Sequence, residues 1–186
     1  MRLLTLLCFL IPLHTHAITI ADITIPETVS HSEQSTKLTL NGAGIRSKFL
    51  FDIYVGSLYL EKKLHSAKDI YAAPGEKRVS LHFLYSEVSK EKLVDGWNDG
   101  FEDNHSKDEL KKLKTQIDQF NSLFITVKKG DVINLNFIPT TGTSVVINGK
   151  TMGLVEGDNF FIALLKIWLG DDPADSGLKK AMLGKS

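Results

Sequence analysis

The sequence predicts an α+β fold in which an antiparallel sheet is backed by helices. Three observations carry that expectation. Hydrophobic periodicity runs in the order strands, two helices, strands, two helices, the segregated pattern of α+β proteins. Two Asn-Gly dipeptides, Asn41-Gly42 and Asn148-Gly149, follow alternating segments as antiparallel hairpins require. No Pro-rich or Gly/Ser-rich linker, internal repeat or single-charge run divides the chain, so one domain is expected over residues 18–186. Of 186 residues, 42% are hydrophobic and 24% charged, which excludes disorder and low complexity. Lys plus Arg (22) balance Asp plus Glu (22), so no overall basic field recruits nucleic acid or anionic membrane.

Residues 1–17 read as an address and not as part of the fold. Met1-Arg2, the apolar run Leu3 to Leu13, and the small residues Thr15 and Ala17 form a Sec-type signal peptide. Cleavage is expected after Ala17, with Ala21 as second choice, and the expected location is periplasmic. The run is too short for a membrane span, which needs about 20 helical residues. Cys8, the only cysteine, leaves with it, so the mature chain has no disulfide, thiol chemistry or zinc–thiolate site. No later segment has enough continuous apolar sequence to cross a membrane.

Along the mature chain, Thr36 to Leu40 alternates as a strand and leads into Asn41-Gly42, read as a tight turn. Phe49 to Leu60 reads as a long strand. Phe49, Phe51, Ile53 and Val55 share one face and Leu50, Tyr54 and Leu58 the other, which implies cover on both sides. Arg78 to Tyr85 is a further strand with Val79, Leu81 and Phe83 inward. After Ser86 the period changes: Leu93, Trp97 and Phe101 fall four apart, with Gly96 and Gly100 beside them, as on an amphipathic helix with a small-residue stripe. Ser106 and Glu109 form a capping box for the next helix, whose Leu110, Leu113, Ile117 and Phe120 are buried and whose lysines make a solvated face. Val132 to Ile138 returns to strand, and Pro139 to Gly142 turns the chain. Thr143 to Ile147, Asn148-Gly149 and Thr151 to Val155 form a hairpin. Asp158 caps a helix over Asn159 to Leu169, stopped by Gly170, and a last helix over Ser176 to Leu183 ends at Gly184.

The familiar catalytic signatures are absent from this sequence: no Walker loop, dinucleotide fingerprint, G-x-S-x-G elbow or H-E-x-x-H pair. His31, His65, His82 and His105 are scattered without metal-ligand spacing and read as structural or surface residues, so no metal and no cofactor are expected. Asn104-His105-Ser106 is a formal glycosylation sequon, read as accidental behind a bacterial-looking export signal. The stretch that stands out is Asn41-Gly42-Ala43-Gly44-Ile45-Arg46. An arginine entering a doubly covered strand can aim its donor fork into an apolar pocket and bind a carboxylate, a phenolate or a developing enolate. It can equally pair with a neighbouring Asp or Glu, and the spacing leaves both open.

Gly42-Ala43-Gly44-Ile45-Arg46, followed by Tyr54-Val55-Gly56-Ser57-Leu58-Tyr59-Leu60-Glu61, resembles the chalcone isomerase-like family, especially its exported bacterial branch. Asn148-Gly149, Phe160-Phe161, Ile167-Trp168-Leu169-Gly170 with Pro173, Leu178-Lys179-Lys180 and Leu183-Gly184 extend the resemblance over nearly the whole mature chain. It implies an open-faced β-sandwich, a large antiparallel sheet packed against helices with a ligand cleft between them. The family's enzymes close a chalcone into a flavanone, which needs a cation near the developing enolate and hydroxyls that hold a polarising water. Arg46 matches the family arginine. Tyr54 stands where the enzymes use a threonine; setting Lys92 on a family lysine puts Ser89 in place of the catalytic tyrosine and Gly96 in place of a substrate-contacting asparagine. With those partners replaced, the resemblance implies a binder, since related non-catalytic members bind fatty acids with the arginine facing the carboxylate. The expectation is a periplasmic protein that holds a small amphipathic or carboxylate-bearing ligand through Arg46, Tyr54, Lys92 and Trp97, without nucleic acid. Two alternatives stand beside it: an isomerase or intramolecular lyase on an enone-like substrate, with Arg46 catalytic, and an accessory protein acting through a surface. Trp97 and Trp168 also read as core residues.

Overall fold

The computed structural model describes residues 17–31 and 35–185. The signal-peptide reading, Cys8 included, falls on residues 1–16 and so lies outside the described residues, except for Ala17. The chain runs β1 (Ala17–Ile20), β2 (Ile23–Pro26), β3 (Thr28–Val29), β4 (Leu38–Lys48), β5 (Phe51–Leu60), α1 (Ala67–Ala72), β6 (Lys77–Phe83), β7 (Glu87–Val88), α2 (Lys90–Asn104) and α3 (Lys107–Ser122). It continues with β8 (Val127–Lys128), β9 (Val132–Ile138), β10 (Gly142–Ile147), β11 (Lys150–Glu156), α4 (Asp158–Leu169) and α5 (Ser176–Met182).

Seven strands form one antiparallel sheet in the order β11-β10-β9-β6-β5-β4-β3. Its inward residues, among them Tyr54, Leu58, Val79, Leu81, Leu135 and Val145, share a core with Trp97, Phe101, Phe120, Phe161 and Trp168 of the helices. The helix α4 is buried along almost its whole length because Phe160, Phe161, Leu164, Leu165 and Trp168 leave it hardly any polar face. This is the expected open-faced sandwich. The hairpin of β1 and β2 covers part of the other sheet face, where Ile25, Val55 and Tyr59 make a second, smaller core. Strand β5 is thus covered on both sides, as its two apolar faces require.

Three local readings are corrected. Asn41-Gly42 is no turn: β4 passes straight through it with a bulge, and the buried Asn41 amide donates to the carbonyls of Met182 (2.7 Å) and Leu64 (2.9 Å) and accepts from Leu64 N–H (2.7 Å). The glycines serve close approach. A Cβ on Gly42 would lie 1.9 Å from the Ala181 carbonyl oxygen and one on Gly44 would lie 2.7 Å from Ala181 Cβ, so α5 rests directly on bare strand. The actual turn is Phe49-Leu50, both exposed, with φ +57° at Phe49, and so neither belongs to the strand faces assigned to them. Asp158 is the first residue of α4 and not its cap. Its Oδ1 accepts from Thr140 N–H (2.9 Å), and Gly157, at φ +96°, leads into the helix.

The capping box of Ser106 and Glu109 is formed, as is the hairpin at Asn148-Gly149, whose φ values of +49° and +79° suit a primed turn. Asn104 ties the end of α2 to the loop beyond α4: its amide donates to the carbonyls of Gly100 (3.0 Å) and Asp172 (2.7 Å). The sequon nitrogen therefore has a structural role. Among the described residues no helix is long and apolar enough to cross a membrane.

Candidate functional site

Strands β4 and β5 end side by side beneath α2, and the cleft lies there. Arg46 and Tyr54 are directly opposed in the β4–β5 register, which fixes the guanidinium over the phenol ring, 5.6 Å from its centroid. From the helix layer, α2 contributes Lys92, Leu93, Gly96 and Trp97 on successive turns, and Ile167 of α4 closes the far side. All four residues singled out from the sequence, Arg46, Tyr54, Lys92 and Trp97, line this one cleft.

Their hydrogen bonding is uneven. Arg46 Nε and Trp97 Nε1 are both buried and have no acceptor among the described residues. Nor does Arg46 form an ion pair there, so its pairing with an acid, left open by the sequence, is not what the structure shows. Asp175 lies close enough to influence Tyr54, but its oxygens accept from the backbone N–H groups of Ser47 (3.1 Å) and Leu178 (2.8 Å). Tyr54 is 3% exposed, and its hydroxyl accepts from Trp168 Nε1 (2.9 Å). Burial raises the phenol's pKa above its usual value, against the opposing pull of Arg46, so the phenol keeps its proton at ordinary pH. Two buried donors without an acceptor and a protonated phenol belong to residues that line one cleft, a donor set that a carboxylate matches chemically.

Walls and size set what can enter. Trp97 packs against Phe120, Phe124 and Trp168, so it belongs to the core and to the cleft wall at once. The two glycines of the α2 stripe have different roles: a Cβ on Gly100 would press on Ile167 at 2.8 Å, whereas one on Gly96 would meet nothing within 4 Å. Gly100 lets α2 approach α4, and Gly96 leaves the cleft open. Ser89, aligned with the family's catalytic tyrosine, is the N-cap of α2, its Oγ accepting from Lys92 N–H (3.3 Å). The cavity is about 40 Å³, well below the roughly 300 Å³ of a typical small-molecule pocket. It has room for a headgroup-sized entrant, and any longer tail has to push side chains aside.

The sequence pattern did not single out Ile53, Phe83, Val88 and Ala174 as lining residues. Nothing distinguishes them from other core residues except their place at the strand ends. The four histidines lie outside the lining of this cleft. His31 and His65 join structural contacts, to Arg78 (3.0 Å) and to the Leu183 carbonyl (2.9 Å). His105 Nδ1 lies 3.0 Å from the Phe101 carbonyl, and burial lowers the pKa of His82.

Comparison with known proteins bears on the fold and the family. A family model described as chalcone isomerase-like matches residues 17–184. Among solved structures, a fatty-acid binding protein from Arabidopsis thaliana superposes with a TM-score of 0.71 at 17% identity, covering 90% of this chain and 96% of that one. None of the curated sequences compared matches the chain.

Proposed function

The chain belongs to the chalcone isomerase-like family, and from that premise we propose that it is a non-catalytic binder of a small amphipathic carboxylate. The acid head sits at Arg46, and the apolar body runs along Trp97 and Leu93 once the α2 wall yields. The observation that carries this reading is the pair of buried donors without an acceptor, Arg46 Nε and Trp97 Nε1, both on residues that line one cleft. Tyr54 adds a phenol proton and Lys92, exposed at the rim, adds a second positive charge. The name of the structural neighbour, a fatty-acid binding protein, fits this ligand class. An enone isomerase would need a hydroxyl or water poised at the reacting carbonyl. Ser89, which stands where the resemblance puts the catalytic tyrosine, is instead the N-cap of α2 with its Oγ accepting from Lys92 N–H, which favours binding over catalysis.

The protein acts in the periplasm, delivered by residues 1–17 as a cleaved signal. Cleavage after Ala17 leaves β1 nearly whole, whereas cleavage after Ala21 would remove a strand that pairs with β2 from Ala17↔Pro26 to Ile20↔Ile23. The N-terminal mass of the exported protein separates the two. Native mass spectrometry of that protein, with solvent extraction, tests the ligand. A stoichiometric carboxylic acid that is lost in Arg46→Met and in Gly96→Leu is the expected result. Gly96→Leu fills the cleft from a position with open space and leaves Arg46 intact. An empty protein that also fails to take up long-chain carboxylates in solution overturns the proposal and favours a role through the protein's surface.

A further inference from the structure

The β4–β5 hairpin ends in three consecutive large apolar residues that the fold does not bury. Phe49 is 92% exposed, Leu50 96% and Phe51 56%. The other large exposed apolar residues among those described, Ile18 and Ile125, are isolated and less exposed. Phe49 also occupies the first position of a two-residue turn at φ +57°, where glycine is the usual residue and a bulky side chain is strained. Turn chemistry does not account for a phenylalanine here; a need for the ring in solvent-facing space does. Phe51 is steadied by an edge-on contact with Tyr85 at 5.5 Å between centroids.

Shape, charge and position name what it meets. A two-residue turn is convex, so it offers no groove for another chain's side chains, whereas a lipid headgroup layer deforms around such a wedge. Lys48 stands exposed at its base, a cation suited to anionic headgroups, whereas Arg46 is turned inward over the Tyr54 ring. Two acids at the hairpin base are engaged by Ser47: Asp52 accepts from its Oγ (2.7 Å) and Asp175 from its N–H (3.1 Å). The tip lies in the same strands as Arg46 and Tyr54, roughly 7–10 Å beyond them at the strand rise per residue. We propose that Phe49, Leu50 and Phe51 form a membrane-docking wedge that sets the mouth of the Arg46 cleft against an anionic bilayer. The wedge goes beyond the ligand reading and does not depend on it.

Flotation with phosphatidylethanolamine–phosphatidylglycerol vesicles, against phosphatidylcholine vesicles, tests it. The chain used begins at Ala17, which retains every element described and omits the apolar run Leu3 to Leu13. Wild type is expected to float with the anionic vesicles. Phe49→Gly/Leu50→Ser is expected to lower partitioning about 10- to 100-fold, because two side chains leave the bilayer. Its Tm should be unchanged or raised, because glycine relieves the strained position. Lys48→Gln should lower partitioning about 5-fold and only on anionic vesicles. Arg46→Met should float much as wild type does, which separates failure of the wedge from failure of the ligand site. Wild type left in the non-floating fraction overturns the proposal, as does a double variant that floats as well as wild type. So does a crosslinker at position 50 that captures a protein while vesicles go unbound.

Discussion

Arg46 and Arg78 are both strand arginines pressed into the protein, and they differ in what surrounds their donors. On the outer face of the sheet, Arg78 donates from Nε to Asn136 Oδ1 (2.6 Å) and from one terminal nitrogen to the Ser30 carbonyl (3.1 Å) and His31 Nδ1 (3.0 Å). At the end of β4, Arg46 has the Tyr54 ring and a buried Nε with no acceptor. A buried donor that is satisfied holds a fold together, and one left unsatisfied destabilises it unless something else binds there. The contrast teaches that an arginine's function shows in its vacant donors, not in its burial.

The largest expected effect breaks the partnered side. Arg78→Met should cost about 2–4 kcal/mol of stability, because it strands Asn136, Ser30 and His31 together. Urea denaturation measures the loss, and ligand affinity should be unchanged. Next comes the vacant side. Arg46→Met should weaken binding of a long-chain carboxylate by about 1.5–3 kcal/mol while moving stability by no more than about 0.5 kcal/mol. Calorimetry and denaturation on the same sample check both halves; equal destabilisation by the two substitutions would erase the distinction.

A smaller effect sharpens the comparison through pH. Burial, helped by the Arg78 charge, lowers the His31 pKa from 6.5 to about 4. The geometry agrees: Nδ1 accepts from Arg78 and must be unprotonated, while Nε2 lies 3.2 Å from Glu76 Oε2. Between about pH 6.5 and 4 the unfolded chain therefore binds this proton and the folded chain does not. Stability is full above that window and is lost as pH falls through it. His31→Gln should flatten the slope in denaturation measured across those pH values, and carboxylate binding at Arg46 should not follow it. Gly96→Leu, which closes the cleft, completes the set by removing ligand without touching either arginine.

Much of the architecture was legible because it rests on local rules. The Asn148-Gly149 hairpin, the Ser106–Glu109 capping box and the Leu93, Trp97 and Phe101 face all follow from turn chemistry and helical period. Asn41-Gly42 obeys the same turn rule and misleads, because α5 needs bare strand to lie on and the bulged Asn41 is bonded to Met182 and Leu64, distant in sequence. The Phe49-Leu50 turn gave no signal, since neither residue suits a turn. The strands β1, β2 and β3 and the short α1, β7 and β8 also went unread. Such brief segments carry too little periodicity and are held by what they pair with or pack on.

By itself the sequence determined the class of fold, the family resemblance and Arg46 as the residue to watch, since periodicity and motif are properties of neighbours along the chain. Only the tertiary structure decided that Arg46, Tyr54, Lys92 and Trp97 line one cleft, that Arg46 has no acid partner among the described residues while Arg78 is tied to Asn136, Ser30 and His31, and that Phe49 and Leu50 stand in solvent. Partners and burial depend on atoms brought together from remote positions, and local sequence preferences do not encode that meeting.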